Sequence, residues 1–342
     1  MAKINLLTIH WGCSYGGTMQ TYATTKLLQS LGHRVSIINL NHPKTRFANL
    51  YHKGFSKNRV LKDIKFALFK RYKIGHFTKK MFSVKEDLIP KSDYTIVGSD
   101  QVWNRDITNP IDKAYYLGFV KGGKRIAFAS SFGKFEWSGN EEEREYIKEC
   151  FGQFEAISVR EQSGVEICST AFDVRATQVL DPTLCYPHYD KLIGRKKPYH
   201  EVFPFLLKNT SETNAICDMV SKRMVLPVYH ASRVQNFLGM GPKEWLSRMK
   251  HSDYIITDSF HGLAFSLIFN KQFIVLCADD KKFARLRSLL KLVKLDDRYV
   301  ESKEDLIARI DMINTPIDYS RVNSLLERER EYSISFLTNN IL

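Results

Sequence analysis

Tyr254-Ile255-Ile256-Thr257-Asp258-Ser259-Phe260-His261-Gly262-Leu263-Ala264-Phe265-Ser266-Leu267-Ile268-Phe269 reads as a strand, a turn and a helix in sixteen residues. The apolar run ending at Thr257 suits a strand buried on both faces of a parallel sheet. Asp258 or Ser259 can cap a helix, and from His261-Gly262 onward the run continues as one. That order puts an imidazole at the C-terminal edge of a sheet, where ligands of doubly wound α/β folds bind. The start of the helix adds backbone N–H groups and partial positive charge suited to a phosphate or carboxylate. A histidine in that place can give or take a proton near neutral pH. The plainer alternative is a histidine that only caps the helix or fills a turn.

On either side the chain keeps alternating strand and helix. Residues 202–207, 224–228 and 273–276 read as further strands, with helices around 212–222 and 242–249. The first forty residues run strand (4–9), Gly-rich turn (12–17), helix (19–31) and strand (35–40), a Rossmann-like opening. Strands at 94–97, 126–130, 156–159 and 178–180 come next, with helices at 141–151 and 163–169, so the sheet is expected to be largely parallel. Residues 186–198, rich in Pro and Lys, read as a linker. The expected organisation is an N-terminal Rossmann-like domain over 1–185 with a basic insertion at 44–85, the linker 186–198, and a C-terminal Rossmann-like domain over 199–342 ending in a charged helical tail. A chain of 342 residues can bury two such cores.

Composition narrows the class. With 44% hydrophobic and 26% charged residues the chain is neither disordered nor a small stapled scaffold. Six cysteines (Cys13, Cys150, Cys168, Cys185, Cys217, Cys277) show no metal-ligand spacing and read as reduced thiols. No apolar run reaches the ~20 residues that span a bilayer, and the first strand is too short for a signal-peptide core. A cytoplasmic protein is expected. The net charge of +14 is concentrated: residues 44–85 hold thirteen Lys or Arg against a single acid, Asp63. Phe47, Tyr51, Phe55, Phe66, Phe69, Tyr72, Phe77 and Phe82 interleave with these cations. Leu61, Ile64, Leu68 and Tyr72 fall on one helical face and Lys62, Lys65 and Lys73 away from it, the pattern of a basic helix that rests on anionic lipid at the inner membrane face. The alternative is a solvated helix packed on its own domain. Nucleic acid is not expected as a partner, because no nucleic-acid signature accompanies the charge.

Further polar groups collect at other strand ends. Gly98-Ser99-Asp100-Gln101-Val102-Trp103-Asn104 comes directly after the strand 94–97. Asp100 could accept a hydroxyl proton or hydrogen-bond a sugar, and Trp103 could stack on a sugar face; alternatively Asp100 caps a helix and Trp103 is core. The turn Gly12-Cys13-Ser14-Tyr15-Gly16-Gly17 lets backbone approach a ligand closely. Arg160 stands just after the strand 156–159, and Arg285 and Arg287 after the strand 273–276. Such arginines suit a donor rich in negative charge, since the planar fork grips carboxylate and phosphate bidentately. Each could instead be a surface ion-pair partner.

Tyr15-Gly16-Gly17 with Gln20-Thr21-Tyr22-Ala23, Gly98-Ser99-Asp100-Gln101-Val102-Trp103-Asn104, Ser158-Val159-Arg160-Glu161, Leu180-Asp181-Pro182-Thr183 and Thr257-Asp258-Ser259-Phe260-His261-Gly262 stand in this order over most of the chain. Together they resemble the polysaccharide pyruvyl transferase family. The resemblance implies a two-domain fold of the glycosyltransferase-B type with its active site in the cleft between the domains. It also implies phosphoenolpyruvate as co-substrate and, as acceptor, a sugar hydroxyl pair on a cell-surface polysaccharide precursor, often lipid-linked. By the same resemblance His261 is catalytic and Arg160 contacts the donor. Some members carry Arg two positions before the histidine, where this chain has Ser259, and Arg285 is the expected substitute. Ser14 stands where an Asn is common.

The candidate roles are therefore these. His261 and Asp100 are catalytic; Arg160, Arg285, Arg287, Ser259 and Gly262 bind the donor; Tyr15, Gly16, Gly17, Gln20, Ser99, Gln101, Trp103 and Asn104 bind the acceptor. No metal or resident cofactor is expected, because arginines supply the positive charge. Two other functions stay open: a nucleotide-sugar glycosyltransferase of the same architecture, which would bind UDP rather than phosphoenolpyruvate, and a non-catalytic membrane-associated binding protein.

Overall fold

The computed structural model describes residues 1–46, 57–193, 198–229, 239–276 and 280–342. These form two compact units: Met1–Phe55, Ala67–Tyr186 and Glu329–Leu342 in the first, Ser56–Phe66 and Pro187–Arg328 in the second. Cys277, residues 194–197 of the expected linker and residues 47–56 of the expected insertion, with Phe47, Tyr51 and Phe55, lie outside the described residues.

The first unit is built on β1 (Lys3–Leu7), β2 (Arg34–Ile37), β3 (His76–Phe77), β4 (Tyr94–Val97), β5 (Lys124–Ser130), β6 (Phe154–Val159) and β7 (Thr177–Gln178). Their order is β3-β2-β1-β4-β5-β6-β7, with parallel pairing throughout. Strands such as Tyr94–Val97 are buried at every position, because the sheet is covered on both faces. The order reverses direction between β1 and β4. A crevice therefore opens beyond their C-terminal ends, where Gly12–Gly17 and Gly98–Asn104 lie. The register sets Leu7 beside Val97 and Val97 beside Ala127, so these strand ends share one edge.

The second unit holds β8 (Val202–Phe205), β9 (Tyr254–Thr257), β10 (Gln272–Leu276) and β11 (Tyr299–Val300), in the order β11-β10-β9-β8 and again all parallel. Helices Ser211–Met224, Pro242–His251, Phe260–Ile268 and Asp280–Leu292 connect or flank these strands.

Several expectations need correction. The first helix begins at Tyr15, not near residue 19, because the Ser14 hydroxyl accepts the Gly17 N–H at 3.1 Å and caps it; Gly16 and Gly17 are helical. Residues 224–228 form no strand. Met224 ends the preceding helix, Val225 turns left-handed at φ 55°, and a single bridge joins Val228 to Val202. The 44–85 segment is no appendage, since it supplies β3 at the sheet edge. Residues 187–193 are not an extended linker either: Tyr189 is fully buried, with its ring centroid 4.8 Å from that of Phe265. The division of the chain also differs from the expected one, with Ser56–Phe66 in the second unit and Glu329–Leu342 in the first.

The C-terminal residues belong to the first core for clear physical reasons. In the helix Tyr319–Asn340, Ser333 Oγ accepts the Leu180 N–H at 2.8 Å, Arg330 donates to the Leu184 carbonyl at 2.9 Å, and Phe336 stacks on Phe128 of β5. Leu337 is completely buried. Truncating it as Leu337→Ala should cost about 2–5 kcal/mol in a denaturant melt. A cost under about 1 kcal/mol would mean the tail is dispensable to that core.

Candidate active site

Three strand ends of the first unit, those of β4, β6 and β7, meet at one guanidinium. Arg160 comes directly after β6, and its Nη1 donates to Asp181 Oδ2 at 2.7 Å and to Ser99 Oγ at 3.3 Å. Its Nη2 lies 3.3 Å from Asp100 Oδ1, and its Nε 3.9 Å from Glu161 Oε2. Ser99 Oγ donates to Asp181 Oδ2 at 2.7 Å, closing a triangle. Burial alone works against the charge on Arg160, but attraction from Asp181, Asp100 and Glu161 outweighs it, so its pKa is raised and it stays protonated.

Each carboxylate has its own anchors. Asp181 Oδ1 accepts from Thr183 N at 2.9 Å and Thr183 Oγ1 at 2.6 Å, capping the short helix Pro182–Cys185. Glu161 Oε1 gathers Ser131 Oγ, Phe132 N and Gly133 N at 2.8, 3.0 and 3.2 Å. Asp100 is different. It sits at φ 81°, a backbone conformation costly for any residue with a Cβ, and it is the half-buried member of the group. Its Oδ1 accepts the Gln101 N–H at 2.9 Å as well as facing Arg160. A Cβ on Gly17 would come within 3.4 Å of its Oδ2, so Gly17 lets the first turn of Tyr15–Ser30 pass close to that oxygen.

The structure thus gives Arg160 a task other than the expected donor contact. Its side chain has no exposed surface, and three carboxylates around one guanidinium leave no surplus positive charge for an anion. It positions Asp100 instead. The expected acceptor residues change in the same sense. Gln20 is fully buried, and its amide ties Thr8 Oγ1, the Ile9 carbonyl and the Gly17 carbonyl together at 2.9–3.0 Å. Trp103 is core: it donates to the Tyr115 carbonyl at 3.0 Å, stacks on Tyr116 and meets Phe132 and Phe151, so it has no free face for a sugar. Ser99 is enclosed, Asn104 caps the helix Arg105–Thr108 through Asp106 N, and Tyr15 is buried. Gln101 is half-buried and accepts from Asn104 Nδ2 at 2.8 Å. Asp100 and Gln101 are the members of this motif that solvent reaches. Sequence reasoning missed Asp181 and Glu161 as site residues, although both stand inside the motifs quoted above.

In the second unit the turn after β9 is held equally firmly. Thr257 Oγ1 donates to the Phe205 carbonyl at 2.7 Å and accepts the Ser259 N–H at 3.1 Å. The Asp258 carboxylate accepts from Leu207 N at 2.6 Å and Lys208 N at 3.0 Å, pinning the chain after β8; burial pushes its pKa up against the pull of those amides. Gly262 is required by packing rather than by a ligand, since a Cβ there would overlap the Thr257 side chain. His261 is the second residue of Phe260–Ile268, buried, with its ring edge-on to Phe260 at 5.4 Å. Ser259 is the N-cap and its side chain makes no capping hydrogen bond. Arg285, half-buried, and Arg287, exposed, lie on the helix Asp280–Leu292 after β10. Among the described residues no cluster of three or more His, Cys, Asp or Glu could hold a metal ion, and no helix is long and apolar enough to cross a membrane.

A family model described as polysaccharide pyruvyl transferase matches residues 15–277. The chain belongs to the polysaccharide pyruvyl transferase family. The match spans both strand-end clusters. A search of curated proteins found no matching sequence. Among solved structures the chain is similar to a putative UDP-N-acetylglucosamine 2-epimerase from Listeria monocytogenes, at 11% identity and TM-score 0.51 over 100% of this chain and 96% of that one. It is also similar to UGT89C1 of Arabidopsis thaliana complexed with UDP-L-rhamnose, at 10% identity and TM-score 0.50 over 100% and 99%. At such identities the likeness concerns the fold alone, which is the two-Rossmann architecture of glycosyltransferase-B type.

The buried network makes a direct forecast for this family member. Asp181→Asn keeps the shape of the side chain but removes the nearest countercharge of Arg160. Denaturant unfolding should show a loss of about 3 kcal/mol, as expected for a buried ion pair deprived of one partner. A loss under about 1 kcal/mol would show that Arg160 is held mainly by Asp100 and Glu161.

Proposed function

We propose that this protein transfers the pyruvyl unit of phosphoenolpyruvate onto a sugar diol of a cell-surface polysaccharide precursor, forming a cyclic ketal and releasing phosphate. The observation that carries this reading is membership of the family over residues 15–277, a span that includes both Asp100 and His261. Family membership supports the substrate class, and the geometry supports the roles.

The donor's charge is assigned to the second unit. Arg285 and Arg287 supply guanidinium groups, and the start of Phe260–Ile268 supplies oriented N–H groups and partial positive charge. His261 stands at that start as the proton donor to the enol carbon C3. Protonation leaves C2 electron-poor, and one sugar hydroxyl adds to it. Asp100 is assigned the hydroxyl proton, because Arg160 and the Gln101 N–H hold its Oδ1 while solvent reaches the group. The C2–O bond to phosphate breaks, and the second hydroxyl closes the ring. Two hydroxyl hydrogens leave the diol; in the balance one is matched by the new hydrogen of the ketal methyl and the other by that of the departing phosphate.

The test is phosphate release from phosphoenolpyruvate with a panel of free and lipid-linked galactose, glucose and mannosamine acceptors. Release is expected with at least one acceptor, and His261→Ala should lower it by about 10²–10⁴-fold, the usual worth of general acid–base help. Because His261 is buried, thermal unfolding of the variant must show that it still folds. Turnover of a folded variant within threefold of the parent, roughly the scatter of a neutral change, would remove His261 from the chemistry.

A further inference from the structure

The helix Lys57–Phe69 continues into a π-helical turn, Lys70–Ile74, and it has two apolar faces. One is packed: Phe66, Phe69 and Ile74 are buried, and Phe69 meets Tyr22 at 6.0 Å between ring centroids. The other is in water. Val60, Leu61, Ile64 and Leu68 are 41–49% exposed and Tyr72 is 67% exposed. Among the described residues the remaining large exposed apolar side chains are scattered along the chain, as ordinary surfaces allow, whereas these five fall within thirteen residues on one side of one element. A helix that only covered its own domain would turn this stripe inward. Polar contacts also hold the element: Lys65 Nζ pairs with Glu244 at 2.6 Å and donates to the Gly239 carbonyl at 2.8 Å, and Lys70 Nζ donates to the Gly12 carbonyl at 2.7 Å.

We propose that this exposed stripe seats the protein on an anionic lipid bilayer. Charge decides the occupant. Residues 44–85 carry thirteen Lys or Arg against Asp63 alone. Arg71 is exposed beside the stripe, with its guanidinium 5.5 Å over the Tyr72 ring, and Lys79 and Lys80 are exposed beyond it. A second copy of the chain would bring the same positive charge to the contact, while an anionic surface brings the opposite one. Leucine, isoleucine and tyrosine at headgroup depth, ringed by cations, is the chemistry of a helix lying in the membrane interface. The bond from Lys70 to Gly12 ties this element to the loop after β1, a few residues from Gly17 and hence from Asp100. A seated helix would therefore hold the acceptor side of the proposed reaction near lipid, which suits a lipid-linked sugar. That last step rests on the proposed function; the seating itself does not.

The experiment is vesicle flotation of the full chain without donor or acceptor, so that its outcome is independent of catalysis. Vesicles of phosphatidylcholine alone are compared with vesicles also containing phosphatidylglycerol, at low and high salt. Recovery is expected on the anionic vesicles and should fall with salt, since the charge attraction is screened beyond a Debye length of about 8 Å. The triple variant Leu61→Ser, Ile64→Ser, Leu68→Ser should bind roughly tenfold less or worse. These side chains are exposed, so the fold should survive, and near-UV circular dichroism checks that it does. Arg71→Gln with Lys79→Gln and Lys80→Gln gives an independent loss confined to the anionic vesicles. Equal recovery on both vesicle types overturns the proposal, as does an undiminished triple variant. A parent chain that sediments as a dimer and becomes monomeric in the triple variant overturns it too, because the stripe would then be an interface between copies.

Discussion

One buried guanidinium fixes the edge of the first sheet. Arg160 leaves β6 and reaches Asp181 beyond β7, and Ser99 and Asp100 beyond β4, so a single planar group spans strand ends that are distant in sequence. An Arg in that position cannot lose its proton and cannot be left without carboxylates, since an unpaired buried charge costs several kcal/mol. The geometry of Asp100 is a consequence. Its left-handed backbone at φ 81° persists because Arg160, the Gln101 N–H and the close passage of Gly17 over-determine it. The sheet order places this construction at the reversal between β1 and β4, the position where doubly wound sheets bind ligands.

The second unit solves a similar problem with neutral groups and one carboxylate. Thr257 and Asp258 use their side chains to fasten the ends of β8 and β9 to each other. Gly262 then allows Phe260–Ile268 to start against Thr257 with no Cβ between them. His261 inherits a fixed place at a helix start. Rigid support of this kind fixes the side chains at a strand end more closely than a flexible loop would.

Much of this was legible in the sequence, for identifiable reasons. The strands Tyr94–Val97 and Tyr254–Thr257 and the helix Glu141–Phe151 have the expected bounds, because strong apolar runs and charged, capped starts mark them. The start of the first helix was not, because two adjacent glycines signal a turn; here Gly17 serves close approach to the Ile9 carbonyl and Asp100 inside a helix. β3 and β11 are two residues long, too short for any periodicity, and the strand expected at 178–180 is the two-residue β7, Thr177–Gln178. At the site, sequence placed polar residues at strand ends but could not say which face one another. Arg160 looked like a ligand for an anion, and three carboxylates enclose it; Trp103 looked like a sugar platform, and aromatic neighbours cover it. Burial and pairing are properties of contacts between remote segments, and spacing along the chain does not encode them.

The reaction proposed above adds a proton to the donor's enol carbon. Running the reaction in D2O and weighing the product tests that claim most directly. The account predicts a ketal whose methyl group carries one deuterium taken from solvent, because C3 of phosphoenolpyruvate enters as CH2 and leaves as a methyl. Phosphoenolpyruvate left intact while a sugar is transferred, or a product methyl free of deuterium, would contradict it.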